Sequence, residues 1–72
     1  MIPEDGFVLE LQRVPRSGVT RWQNAKGTRY YEWDFLHGEW EVYDRKGYHL
    51  GAADAETGKL IKPAKSGRTI DV

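Results

Sequence analysis

Residues 32–44 read EWDFLHGEWEVYD, five carboxylates and one histidine with no lysine or arginine among them. Residues 11–31 are the opposite: Arg13, Arg16, Arg21, Lys26 and Arg29, and no acid. The formal net charge of +0 conceals this segregation. Carboxylates and an imidazole move protons near neutral pH, while guanidinium and ammonium groups hold phosphate oxygens. An acidic strip containing a histidine, flanked by basic arms, suits an enzyme that cuts a polyanion.

RNA carries its own nucleophile, because its 2′-hydroxyl can attack the adjacent phosphate. An enzyme need supply only a base for that hydroxyl, an acid for the departing 5′-oxygen and positive charge for the crowded phosphorane. Asp34, His37 and Glu41 offer the proton chemistry, and an arginine from elsewhere would complete the set. The same three residues are metal-ligand types. Their spacing matches no recognised metal signature and the chemistry needs no metal, so neither metal nor cofactor is expected.

These groups must be positioned by a chain of 72 residues, enough for one small domain. It has no cysteine, which excludes disulfides and thiolate metal sites and fits a reducing compartment. Nine aromatic residues are the obvious supply of a core, despite a mean hydropathy of −0.73. No apolar run reaches the length of a membrane span, and the first residues lack a signal-peptide core, so no membrane partner is expected.

Glycines and turn pairs recur every several residues, with short aromatic and β-branched stretches between them. That rhythm predicts a mainly β fold, a small, highly twisted antiparallel sheet. Residues 28–34 and 39–44 form the clearest hairpin. Period-two alternation sends Tyr31, Trp33, Phe35, Trp40 and Val42 to the core and turns Asp34 and Glu41 outward, with His37 in the connection. A second hairpin pairs residues 47–53 with 59–62, and a last strand over residues 68–72 returns beside the sheet. Residues 7–11 read as a strand or a short N-terminal helix.

The runs Tyr31-Glu32-Trp33-Asp34, His37-Gly38-Glu39, then Glu41 and Tyr43 resemble the catalytic strand pair of the ribosome-inactivating colicin and cloacin ribonuclease domains. The likeness continues through Arg21-Trp22, Lys26-Gly27 and Arg29 before this pair. After it come His49-Leu50-Gly51, Thr57-Gly58 and Arg68 with Ile70. It covers roughly the last fifty residues, so residues 21–72 read as the ribonuclease region and residues 1–20 as an N-terminal segment. The departures are a thinner basic run before Trp22, a differently built loop before Arg68, and Phe35-Leu36 where the family has a polar pair.

The resemblance implies a metal-independent endoribonuclease toxin. It would cut small-subunit ribosomal RNA at the decoding site in the bacterial cytoplasm, leaving a cyclic phosphate. It would be a monomer when free, delivered from outside as part of a larger toxin or acting as a free-standing one, and held inactive by an acidic immunity protein. The essential residues fall on Asp34, His37, Glu41 and Arg68. Glu41 would accept the 2′-hydroxyl proton, His37 donate to the leaving oxygen, Asp34 orient His37, and Arg68 stabilise the phosphorane; His37 as base is the alternative. Arg21, Trp22, Lys26, Arg29, Tyr31, Glu39 and Tyr43 are the expected substrate contacts. His49 has no carboxylate close in sequence and reads as a partly exposed strand residue without a role. Two other functions compete: a ribonuclease acting on transfer or messenger RNA, and a non-catalytic β module that binds RNA or protein.

Overall fold

The computed structural model describes residues 1–15, 18 and 20–72; Arg16 of the basic arm lies outside them. A five-residue 3-10 helix, Gly6–Glu10, precedes six strands: β1 Leu11–Val14, β2 Arg21–Asn24, β3 Arg29–Asp34, β4 Glu39–Asp44, β5 His49–Ala53 and β6 Leu60–Pro63. They form one antiparallel sheet in chain order, each strand beside its sequence neighbours. The mainly β expectation holds. Residues 7–11 split between the end of the 3-10 helix and the start of β1, a stretch too short to sustain an α-helix.

The β3–β4 hairpin has the expected register, with Tyr31 opposite Val42 and Trp33 opposite Trp40. The core collects on one face of the sheet: Trp22, Tyr31, Trp40, Val42 and Ala53, with Trp40 fully enclosed. Its rings meet edge to face, Trp22 at 5.1 Å and Trp33 at 4.9 Å from Trp40, the geometry favoured by the ring quadrupoles. The N-terminal segment closes this face. Ile2, Phe7 and Val8 pack against the cluster, and the Phe7 N–H donates to the Glu56 carbonyl at 2.8 Å.

Two sequence expectations fail. Phe35 lies in the β3–β4 turn rather than in a strand, and it is 65% exposed. Alternation ended with Asp34, whose carboxylate starts the turn. Residues 68–72 form no strand. They contribute a single bridge, Thr69 to Tyr48, with backbone bonds between Arg68 and His49 and between Ile70 and Gly47. Pro63 ends β6, since it has no N–H to extend the ladder.

One irregularity determines what the opposite face carries. Trp40 pairs with Ala53, Glu41 with Ala52 and Val42 with Gly51, but Tyr43 pairs with His49, so Leu50 is an extra residue in β5. Without this bulge, alternation back from Ala53 and Gly51 would put His49 on the core face and Leu50 on the other. With it, Leu50 packs against the core and His49 joins Glu41 and Tyr43.

Candidate active site on the sheet face opposite the core

Asp34, Glu39, Glu32 and Glu41 project from β3 and β4 away from the core. Glu32 stands directly across from Glu41, and Asp34 across from Glu39. Like charges so placed repel, and each here has a basic partner. Arg21 binds Glu32 through Nε and a terminal nitrogen, both at 3.0 Å. His37 Nδ1 is 2.8 Å from Asp34, His49 Nε2 is 2.7 Å from Glu41, and Lys62 Nζ is 2.8 Å from Glu39.

The Asp34 carboxylate shapes the turn that holds His37. Its Oδ1 accepts the backbone N–H groups of Leu36 at 2.9 Å and His37 at 3.1 Å, while Oδ2 faces the imidazole. The His37 side-chain bond, assisted by these two N–H groups, lowers the Asp34 pKa to about 2 against the opposing effect of burial. A carboxylate can only accept, so His37 Nδ1 carries a proton and Nε2 is the nitrogen left to exchange one with a substrate.

His49 is oriented from both sides. The Lys65 backbone N–H donates to Nδ1 at 2.9 Å, which leaves the ring proton on Nε2 to donate to Glu41. The ring packs edge to face on Tyr43 at 5.2 Å. Arg68 approaches from the segment after β6. Its Nε donates to the Tyr43 hydroxyl at 3.1 Å, and a terminal nitrogen lies 3.8 Å from Glu41. Burial works against the Arg68 charge, but the Tyr43 hydroxyl, Glu41 and Asp34 outweigh it and the pKa moves up. Burial also pushes the Tyr43 phenol up.

His37, Glu39, Glu41, His49, Lys62 and Lys65 line one cavity of about 110 Å³. Asp34 adjoins it through His37, and Arg68 through Glu41. Asp34, His37 and Glu39 also bring one ligand atom each within 4.8 Å of one another. All three are held in bonds of their own, to Leu36 and His37, to Asp34, and to Lys62.

The expected substrate contacts divide. Glu39 lines the cavity, and Tyr43 is buried beneath Arg68 and His49. Trp22 and Tyr31 belong to the core on the other face, so stacking on a base would require unpacking it. Arg21 is 3% exposed and committed to Glu32 and, at 2.7 Å, to the Asp71 carbonyl. Lys26 and Arg29 border a separate open depression with Phe7 and Tyr31. Among the described residues, the cations beside the cavity are Lys62, Lys65 and Arg68. Their signal in the sequence is a cation at every third position from Lys59 to Arg68, with no acid between Glu56 and Asp71. His49, expected to be partly exposed, is buried; it had no such signal, because strict alternation conceals a bulge.

The lowered Asp34 pKa has a consequence for stability. The folded state releases the Asp34 proton more readily than the unfolded chain, whose pKa is about 3.9. This contribution is complete above that value and is lost as pH falls through about 2. The unfolding free energy of the wild type should therefore exceed that of Asp34→Asn by less and less between about pH 5 and pH 2. Urea titrations across that range measure the difference, and a gap independent of pH would contradict the assignment.

The family model for Cytotoxic domains matches residues 12–71. Cloacin from Escherichia coli is 47% identical over 63 residues, covering 81% of this chain and 11% of cloacin. Colicin E3 from the same organism is 45% identical over 51 residues, 69% of this chain and 9% of the colicin. Colicin-E6, also from Escherichia coli, is 43% identical over 63 residues, 81% of this chain and 11% of its own length. The chain thus spans about a tenth of the length of these relatives.

Proposed function

Since this chain belongs to the Cytotoxic-domain family shared with cloacin and colicins E3 and E6, we propose that it is a metal-independent endoribonuclease toxin that cuts small-subunit ribosomal RNA at the decoding site. One observation carries this reading: the Asp34–His37 and Glu41–His49 couples open on one cavity, with Arg68 against Glu41. Glu41 accepts the 2′-hydroxyl proton. The 2′-oxygen bonds to phosphorus, the bond from phosphorus to the 5′-oxygen breaks, and His37 Nε2 protonates the departing oxygen. The products are a 2′,3′-cyclic phosphate and a 5′-hydroxyl. Asp34 fixes the His37 ring, His49 fixes the Glu41 carboxylate, and Arg68 balances charge on the phosphorane.

Lys62 and Lys65 supply further positive charge at the mouth of the cavity, the sequence-independent part of RNA affinity. The cationic run from Lys59 to Arg68 also suits an acidic immunity protein that would cover the site in a producing cell. Action in the bacterial cytoplasm after delivery from outside belongs to the same proposal.

Incubation of the purified chain with ribosomes in EDTA tests it. One discrete small-subunit RNA fragment is expected. Cleavage confined to transfer RNA or naked messenger RNA would move the target, and no cleavage of any RNA would leave a binding module.

A further inference from the structure

Phe35 and Leu36 are 65% and 85% exposed in the turn that carries His37. This turn is held by a set of bonds to Asp34. Asp34 Oδ1 holds the Leu36 and His37 N–H groups, and the Asp34 carbonyl accepts the Gly38 N–H at 2.8 Å. Gly38 takes φ +66°, a conformation that closes the turn at little cost only for glycine. The backbone bonds that hold the His37 turn therefore also hold the backbone that carries Phe35, two residues from the imidazole.

Resting on the nuclease reading, we infer that Phe35 is a stacking platform for an unpaired nucleobase on the 3′ side of the scissile phosphate. If His37 protonates the 5′-oxygen, the nucleotide that owns that oxygen is the one beside the turn. The cations lie elsewhere around the cavity, on β6 and the segment after it, and take the phosphates. An aromatic face at one side and charge at the other is the arrangement that binds single-stranded RNA. Trp22 and Tyr31, buried in the core, cannot perform this task without unpacking it. Leu36 widens the apolar surface that the base covers.

The test pairs cleavage with binding to an unstructured RNA oligonucleotide carrying 2′-O-methyl groups, which cannot be cut by 2′-oxygen attack. Phe35→Ala should weaken binding and lower kcat/KM by about tenfold, within the range of one lost base stack, with an unchanged melting temperature. Phe35→Trp should restore both, and Phe35→Leu should not. Unchanged binding and cleavage in Phe35→Ala, with His37→Ala inactive, would overturn the stacking role and spare the nuclease. A loss confined to intact ribosomes, with naked RNA unaffected, would mean that the turn grips a protein and would also overturn it. If the wild type cuts no RNA, the nuclease reading fails and the oligonucleotide measurement alone decides the stacking role.

Discussion

Glu41→Gln is expected to lower RNA cleavage by about 10²–10⁴-fold, the contribution of a positioned general base, while the protein stays folded. The amide keeps the size of the side chain, and its oxygen can still accept from His49 Nε2, so the packing around Tyr43 is preserved. It cannot take a proton from a 2′-hydroxyl. His37→Ala should cause a loss of the same order, because the turn is held by Asp34 and backbone N–H groups that do not depend on the imidazole. Single-turnover cleavage, with a melting curve for each variant, makes the measurement. Near-wild-type rates in both variants would remove the proposed chemistry.

Gly51→Ala should damage fold and activity together. Gly51 has φ +141°, and a Cβ there would run into the Lys62 carbonyl oxygen on the neighbouring strand. The backbone conformation alone costs a substituted residue about 1–3 kcal/mol, and the collision adds to that. A chain of 72 residues has roughly 4–11 kcal/mol of stability in all. The expected fall in melting temperature is about 10 °C or more, at roughly 4–8 °C per kcal/mol for a domain of this size. The damage reaches the site because Gly51 borders the bulge that turns His49 toward Glu41, and because Lys62 pairs with Glu39. Cleavage should therefore drop even at temperatures where the variant remains folded. A variant as stable and as active as the wild type would show that the bulge tolerates a side chain and that His49 placement does not depend on it.

The β3–β4 hairpin was legible because its alternation is strict and both faces matter. Trp33, Trp40 and Val42 could only go inward, which turned Asp34 and Glu41 to the other side. The family likeness supplied Arg68, which is distant in sequence and which no local pattern would have joined to Tyr43. Three features were hidden for physical reasons. The bulge at Leu50 reverses the parity of β5, so counting by twos puts His49 on the wrong face. Phe35 continues the aromatic alternation in sequence, but the Asp34 carboxylate captures the next N–H groups and ends the strand before it. The basic arm over residues 11–31 looked like the phosphate contact because of its net charge. Charge alone says nothing about facing, and Arg21 proves to be buried against Glu32 while Lys62 and Lys65 line the cavity and Arg68 stands against Glu41.

The chemical ends of the cut RNA test the central claim most directly. Attack by the 2′-oxygen, with proton transfer by Glu41 and His37 and no metal, leaves a 2′,3′-cyclic phosphate on one fragment and a 5′-hydroxyl on the other, unchanged by EDTA. A 3′-hydroxyl and a 5′-phosphate, formed only when a divalent cation is supplied, would contradict it.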